Sequence, residues 1–342
     1  MINNQKFRNS SIELYRIIAT LAVLIVHFNG WFIGMPEKLD ILNPSSFRIG
    51  QALIESATCI CVNMFLLISG YFGIHLKWSS ILKISLLLLF IFVPFYLIQS
   101  VVEGSYNTRE LISKLFVLSR AGFFVQCYLL LMFLSPVFNA FVEKEGKRIL
   151  LWTLAFILIE FWFDNIKQLD CLAFGGGYSI MHFVLVYMVA RCLALYKEDL
   201  LKIKKVYWII GYIICTVFIF LLYFIGVKWT FAYSNPLVLL SAICTFMPFL
   251  YHTYYNRVIN WIASSTFAVY IIHITSPLRE LLVNIENQLL IKNSYGIYLI
   301  GSVGVIMMTF IFSIIYDKLC QLFIKPIISK LNSFTVGNYE YQ

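Results

Sequence analysis

Charged side chains are scarce in this chain: Asp, Glu, Lys and Arg together make up 13% of its 342 residues. Hydrophobic residues make up 61%, and the mean hydropathy is +0.83, whereas soluble domains carry about 25% charged residues. No hydrophilic stretch is long enough to fold as a separate soluble domain. The composition therefore predicts an all-α, polytopic integral membrane protein.

The chain also lacks a disulfide framework and a metal-ligand pattern. All of its eight cysteines except Cys171 lie in or beside apolar segments, where cysteine behaves as a small hydrophobe. Cys171 lies in a loop without a loop partner, and no CxxC or His/Cys spacing typical of zinc is present. The formal net charge of +9 is explained by basic residues on the cytoplasmic side of a membrane. We therefore expect no bound metal or cofactor and no nucleic-acid partner.

Apolar runs of about twenty residues, the length that crosses the hydrocarbon core as a helix, recur along the whole chain. They predict a bundle of about ten transmembrane helices in a single integral membrane domain, residues 1–342. The predicted spans are residues 12–33, 51–74, 79–102, 121–141, 148–164, 178–196, 206–226, 232–251, 260–277 and 296–316.

The distribution of Lys and Arg predicts that both termini are cytoplasmic. With the N-terminus inside, the inner loops carry more basic residues than the outer loops, including the run KEDLLKIKK at 197–205. Residues 317–342, after the last span, are predicted to form a short basic amphipathic tail along the inner membrane surface.

The first predicted span, ELYRIIATLAVLIVHFNG at 13–30, carries ionisable residues inside an apolar run. An Arg near the centre of a membrane helix costs about 2.5–3.5 kcal/mol on insertion scales, so such residues indicate a function. Arg16 and His27 are separated by close to three whole turns, so they share one face, with His27 about 16 Å further along the axis. Glu13, one turn before Arg16, is placed to pair with it.

This face suits a reaction between an anionic donor that enters from the cytoplasm and an acceptor met within the membrane. Arginine binds phosphate or carboxylate through its planar fork, and histidine takes a proton from a hydroxyl as a general base. Two simpler interpretations stay open. Arg16 would reach lipid phosphates at the membrane surface, and His27 would bond to a neighbouring helix.

Six segments, in order along the chain, resemble the membrane-bound acyltransferase family 3, the polysaccharide and peptidoglycan O-acetyltransferase group. The first is the pair Arg16 and His27, with ten residues between them on a first helix. The others are VNMFLLISGYF (62–72), QCYLLLMFLSPVFN (126–139), GYSIMHFVLVY (177–187), YSNPLVLLSAICTF (233–246) and STFAVYIIHITSP (265–277). The resemblance extends over essentially the whole chain.

The resemblance implies transfer of an acyl group, usually acetyl, from cytoplasmic acyl-CoA as co-substrate. The acceptor would be a hydroxyl of a cell-envelope or exported glycan, or of its lipid-linked precursor, and the location a cell membrane such as the bacterial cytoplasmic membrane. The implied role of His27 is catalytic base or transient acyl carrier. Arg16 would orient the phosphates of the donor or stabilise the surroundings of His27.

Five further positions are candidate supporting or substrate-binding residues. Ser69 and Gly70 would let the backbone approach a ligand, or would allow close helix packing. Tyr128 would relay the acyl group or donate a hydrogen bond, although tyrosine is also common at membrane interfaces. Lys83 lies where many family members carry an Arg pair, and lysine is a weaker bidentate phosphate ligand. His273 would line the same cavity as His27, or bond to a neighbouring helix.

Four other ionisable residues receive weaker interpretations. His182 is predicted to be a packing residue. Glu160, Asp164 and Asp170 cluster towards the outer end of the fifth predicted span. They would bind sugar hydroxyls or form a solvated rim.

A membrane transporter or flippase for a small solute or a lipid-linked glycan would explain intramembrane charge equally well. Such proteins commonly have two related halves with broken helices at corresponding positions, and Pro94, Pro136 and Pro236 do not pair in this way. A polysaccharide polymerase would carry a large outer loop, whereas the longest predicted outer loops are short. The sequence therefore favours the acyltransferase.

Overall fold

A computed structural model of the chain describes the backbone of residues 8–35, 45–115, 122–167 and 175–337, and the side chains of these residues except Lys114 and 332–337. All regular elements within these ranges are helical. The predicted all-α fold is therefore confirmed.

Fifteen helices, numbered in chain order, make up the described part of the chain. They are α1 (Ser10–Val26), α2 (Ser46–Thr58), α3 (Cys61–Phe72), α4 (Trp78–Glu103), α5 (Thr108–Leu115), α6 (Phe123–Glu145), α7 (Ile149–Glu160), α8 (Ile180–Leu195), α9 (Lys197–Leu200), α10 (Lys205–Phe224), α11 (Pro236–Phe246), α12 (Arg257–Ala263), α13 (Thr266–His273), α14 (Leu278–Lys292) and α15 (Tyr295–Gly337). Two of them continue into π-helical turns, α1 into His27–Trp31 and α7 into Phe161–Ile166.

Short polar side chains fix where several of these helices begin. The first N–H groups of a helix have no partner within the helix, and a Ser or Asn at the N-cap accepts a hydrogen bond from one of them. Asn9 does so for α1, Ser179 for α8 and Asn235 for α11. Pro236 follows Asn235 at the first helical position, where its fixed φ suits the helix.

Six helical stretches of the described residues are long and apolar enough to cross a membrane, and a seventh results if the bent pair Arg257–His273 and Leu278–Lys292 forms one span. The six are Ser10–Trp31, Ser46–Phe72, Trp78–Glu103, Phe123–Ile166, Lys205–Phe224 and Tyr295–Leu331. These helices are those of a multi-pass membrane protein.

The predicted count of about ten spans is not confirmed. The stretch Phe123–Ile166 includes most of two predicted spans, 121–141 and 148–164, because only a short 3₁₀ turn separates α6 from α7. Two further predicted spans correspond to the shorter apolar helices Ile180–Leu195 and Pro236–Leu250. The cytoplasmic position of both termini stays a prediction.

The region predicted as a C-terminal tail belongs to a long helix as far as it is described. α15 extends without a break through residues 317–337, and Cys320 and Ile324 are buried in it. Its position along a membrane surface stays a prediction, and residues 338–342 lie outside the described part.

The chain divides into two compact units, one of residues 1–74 and 130–264 and the other of residues 75–129 and 265–342. In the first unit α3 packs against α8 and α1, α1 also packs against α12, and α10 packs against α11. Large side chains such as Tyr15, Phe183 and Phe246 are fully buried between these helices. The ring of Tyr15 lies 5.3 Å from that of Phe246, so α1 is anchored in the core of this unit. The interpretation of residues 1–342 as one acyltransferase domain stays a prediction.

α3 and α8 approach each other closely at Gly70. A Cβ atom at this position would lie 2.6 Å from the Cβ of Ala190 and 3.0 Å from the carbonyl oxygen of Tyr187. The surroundings of Gly70 therefore favour close helix packing over the approach of a ligand to the backbone.

We expect Gly70→Ala to lower the free energy of unfolding by about 1–3 kcal/mol, because the added methyl group forces two packed backbones apart. Thermal unfolding of the purified protein in mild detergent measures this. Gly304→Ala in α15 is the matched control, since a Cβ atom there meets no atom within 4 Å. Equal stability of the two variants would contradict the close packing at Gly70.

The second unit is built on α4, α13, α14 and α15, with α15 in contact with the other three. The hydroxyl of Tyr316 donates to the carbonyl oxygen of Phe90 at 2.9 Å. Asp317 is buried and accepts a hydrogen bond from Ser265 Oγ at 2.7 Å. These polar contacts satisfy groups that would otherwise be costly within the apolar unit.

Candidate active site

At the N-terminal end of the first predicted span, two guanidinium groups lie beside one carboxylate. Glu13 Oε2 lies 2.6 Å from Arg8 Nη2 and 3.6 Å from Arg16 Nη1. The Glu13 side chain is 6% exposed, whereas those of Arg8 and Arg16 are 43% and 30% exposed. The predicted pairing of Glu13 with Arg16 is present. Because two guanidinium groups share one carboxylate, the group carries a net positive charge.

His27 lies where α1 widens into the π-helical turn His27–Trp31. The Phe32 N–H donates to the His27 carbonyl oxygen at 2.8 Å, a bond from residue i+5 to residue i. Single π-helical turns of this kind occur frequently at functional sites. The half-buried imidazole has its ring centroid 5.0 Å from that of Trp31, with the planes at 70°. The Trp31 contact limits the orientations that the imidazole can adopt.

A buried set of hydrogen bonds, which we call the π-turn clamp, ties this turn to α2 through Asn29, Gln51 and Glu55. Asn29 Nδ2 donates to Glu55 Oε2 at 2.9 Å and to the Gln51 carbonyl oxygen at 3.0 Å. Gln51 Nε2 donates back to the carbonyl oxygens of Asn29, at 2.6 Å, and Gly34, at 2.7 Å. Gln51 and Glu55 are 1% and 2% exposed.

Gly30 allows the clamp to close against the turn. A Cβ atom at this position would lie 3.4 Å from Glu55 Oε2 and 2.6 Å from Met35 Sδ. The wide turn that carries His27 is thus held by buried hydrogen bonds to Gln51 and Glu55 of α2.

The other predicted site residues are divided between the two units. Ser69 and Gly70 lie on α3 of the first unit, which packs against α1. Lys83, Tyr128 and His273 lie in the second unit, on α4, α6 and α13. One ion pair in the described part of the chain joins two of the predicted site residues, Glu13 and Arg16.

The three residues of the second unit have distinct surroundings. Lys83 is exposed on α4. The ring of Tyr128 stacks on that of Phe124 with centroids 5.9 Å apart. His273 is fully buried, and its Nδ1–H donates to the Val269 carbonyl oxygen at 2.8 Å within the same helix. One nitrogen of His273 is therefore engaged by its own backbone, and its role in a site stays a prediction.

A second buried network in the first unit centres on His182. Its Nδ1 lies 3.0 Å from both carboxylate oxygens of Glu160, and its Nε2 lies 2.8 Å from Asn63 Oδ1. The amide nitrogen of Asn63 donates to the Tyr233 carbonyl oxygen at 3.0 Å, so the amide oxygen faces His182 and accepts a hydrogen from Nε2. His182 on α8 is thus bonded to α7 through Glu160 and to α3 through Asn63.

This network corrects one prediction from the sequence. The prediction that Glu160 belongs to a solvated rim is wrong. Glu160 is 1% exposed, and its carboxylate contacts His182. His182 is 0% exposed, and its interpretation as a packing residue stays a prediction. Asp164 accepts from the Gly176 N–H at 3.0 Å and from Ser234 Oγ, which orders the turn before α8. Asp170 lies outside the described residues.

Sequence patterns did not single out Asn29, Gln51, Glu55 and Asn63. The signal that identifies Glu55 is the same one that identified Arg16, an ionisable residue within an apolar segment. Among the described residues, no group of three or more His, Cys, Asp or Glu side chains is placed to hold a metal ion.

A family model of an acyltransferase domain matches residues 9–318. This range includes α1 with Arg16 and His27 and extends over parts of both units. No curated protein and no solved structure matches the chain. Because the family model covers most of the sequence, the chain belongs to acyltransferase family 3 and is a membrane acyltransferase.

Proposed function

We propose that this enzyme moves an acetyl group from cytoplasmic acyl-CoA to a hydroxyl of a cell-envelope or exported glycan, or of the lipid-linked precursor of that glycan. The observation that supports this proposal is that one face of α1, in a chain of an acyltransferase family, carries two groups suited to the reaction. This face carries a cationic group at one end, around Arg16, and a half-buried imidazole, His27, about 16 Å further along the axis. The resemblance of six sequence segments to the family favours acetyl-CoA as donor and a glycan as acceptor.

In the proposed mechanism, Arg16 binds the donor. Acyl-CoA carries phosphates, and a guanidinium group binds phosphate in a bidentate manner. Glu13 balances only part of the positive charge of Arg8 and Arg16, so the group keeps an attraction for an anion. Its place at the start of α1 fits entry of the donor from the cytoplasm, with both termini on that side.

His27 acts as the general base in this mechanism. It takes the proton from the attacking glycan hydroxyl as the new C–O ester bond forms. The thioester C–S bond then breaks, and the proton passes from His27 to the sulfur of the departing CoA. The π-turn clamp contributes by holding the imidazole in one place, because misplacement of a catalytic group by about 1 Å costs about a hundredfold in rate.

The remaining predicted residues are proposed as supporting groups. Ser69 lies on α3, which packs against α1, and Lys83, Tyr128 and His273 keep the supporting roles that the family resemblance implies. The enzyme would need acyl-CoA, the glycan and the lipids of a cell membrane, such as the bacterial cytoplasmic membrane, and no bound cofactor.

The proposal is tested with inside-out vesicles that contain the enzyme and the glycan acceptor. Acetyl-CoA labelled in its acetyl group is added outside, and alkali-labile label is measured in glycan and lipid-linked sugar. The proposal predicts label in one of these fractions together with release of free CoA. CoA release without labelled glycan, in vesicles that contain a competent acceptor, would overturn the assignment of the acceptor.

Arg16→Ala is expected to raise the KM for acyl-CoA about tenfold or more, with a smaller effect on kcat, because a hydrogen bond to a charged group is lost on donor binding. The shorter Arg8–Glu13 ion pair remains, so Glu13 keeps a partner and the fold persists. Arg109→Ala on exposed α5 is the control. An unchanged KM in the Arg16 variant would contradict donor binding by this residue.

A further inference from the structure

The side of α1 opposite to Arg16 and His27 lines a cavity of about 750 Å³ within the first unit. Its residues on α1 include Leu14, Ile18 and Ile25. At 100° per residue, Arg16 and His27 point about 160–180° away from Ile18. The cavity is therefore separate from the proposed catalytic face.

The cavity has the shape and lining of a site for a hydrocarbon chain. From Ser11 to Ile25 it follows α1 for about 21 Å, at 1.5 Å per residue. Apolar residues of α1, of α10 and of the turn after α11 form most of its walls, and two of them, Ile18 and Ile209, are 39% and 45% exposed. Pockets of this volume and apolar character are typical of ligand sites. About 21 Å is two-thirds of the hydrocarbon thickness of a bilayer.

One end of the cavity is cationic. Lys205, the first residue of α10, and His252 both line the cavity. Their neighbours are tied to the start of α1, since Trp208 Nε1 donates to the Tyr251 hydroxyl and Ser11 Oγ donates to the Phe249 carbonyl oxygen. Lys204 precedes Lys205, and the nearby Asp199 forms its ion pair with Lys202, at 2.7 Å. Basic residues at the edge of the hydrocarbon region attract anionic lipid headgroups.

We propose that this cavity binds an anionic phospholipid. Its phosphate lies against Lys205 and His252, and an acyl chain follows α1 past Leu14 and Ile18. The basic end and the apolar wall together favour a ligand that has an anionic headgroup and a hydrocarbon chain. Acyl-CoA also carries phosphates, but a thioester in this cavity would face away from His27. The bound lipid supports α1 from behind the catalytic face, independently of the proposed acyl transfer.

The test uses the full-length protein in phosphatidylcholine vesicles that contain a small fraction of a photoactivatable lipid. The lipid is phosphatidylglycerol in one set and phosphatidylcholine with the same chains in the other. After cross-linking, labelled peptides are mapped. We expect labelling of the α1 segment 14–25 to be about fivefold higher with phosphatidylglycerol, the effect of one basic contact.

Two variants and one competitor make the result specific. Lys205→Gln should reduce phosphatidylglycerol labelling to the phosphatidylcholine level, whereas Lys325→Gln on exposed α15 should not. Ile18→Trp should block labelling by both lipids by filling the cavity. Soluble glycerol phosphate should not compete, because it lacks the chain. Equal labelling by the two lipids, or unchanged labelling in the Lys205 variant, would overturn the proposal in favour of a non-selective lipid contact.

Discussion

Replacing His27 by Ala is expected to lower the rate of acyl transfer by about 10²–10⁴-fold, the usual contribution of a general base. His27 lies at the first position of a π-helical turn, and the clamp of Asn29, Gln51 and Glu55 holds this turn through other residues. The variant should therefore fold normally and lose the chemical step. Transfer of labelled acetyl to the glycan at saturating donor measures this effect on kcat.

His75→Ala is the matched control, because His75 is exposed after α3 and has no part in the proposed site. His27→Gln extends the test, since glutamine retains polarity but cannot serve as a base at neutral pH. Both His27 variants should lose activity while keeping the same thermal unfolding temperature as the wild type. A His27 variant that transfers acetyl at the wild-type rate would contradict the role of His27 and leave family membership intact.

Glu160→Ala is expected to lower the free energy of unfolding by about 3–5 kcal/mol. Removing one partner of a buried ionisable pair leaves the other without compensation in an apolar environment. His182 would lose its only described carboxylate contact, while its Nε2 stays bound to Asn63. Thermal or denaturant unfolding in mild detergent measures the loss.

Glu198→Ala serves as the comparison, because Glu198 is exposed on α9 and exposed substitutions usually change stability by less than about 0.5 kcal/mol. A double variant, Glu160→Leu with His182→Leu, should recover part of the loss, since apolar side chains of similar size often replace a buried pair without cost. Equal unfolding of the Glu160 and Glu198 variants would contradict a stabilising role for this network.

The helical elements were predictable because their signals are local. Continuous apolar runs identify most of the long helices, and residues such as Asn9, Ser179 and Asn235 indicate where helices begin. The shared face of Arg16 and His27 likewise follows from helical periodicity. The count of spans does not follow from the apolar runs alone, because α8 and α11 are short and α6 is nearly continuous with α7.

The polar networks were not predictable because they join distant parts of the chain. Asn29 reaches Glu55 and Asn63 reaches His182 only after the helices have packed. The interpretation of Glu160 failed for the same reason, since its partner His182 is on the next long helix. The π-helical turn at His27 departs from the regular helical period, so the sequence pattern does not predict it.

The two faces of α1 suggest how one helix serves two purposes. One face carries Arg16 and His27, and the opposite face lines the apolar cavity with Leu14 and Ile18. Buried contacts of Tyr15 and the clamp at Asn29 hold the helix in place. Substitutions on the Arg16 and His27 face should therefore impair acyl transfer, and substitutions on the cavity face should impair lipid selectivity.

The most direct measurement of acyl transfer uses acetyl-CoA with one label in the acetyl group and a second in the nucleotide, supplied outside inside-out vesicles. The account predicts that acetyl label enters alkali-labile glycan ester while the nucleotide label stays outside as free CoA, and that His27→Ala abolishes the separation of the labels. Entry of both labels together into the vesicle, without labelled ester, would contradict it and indicate a transporter.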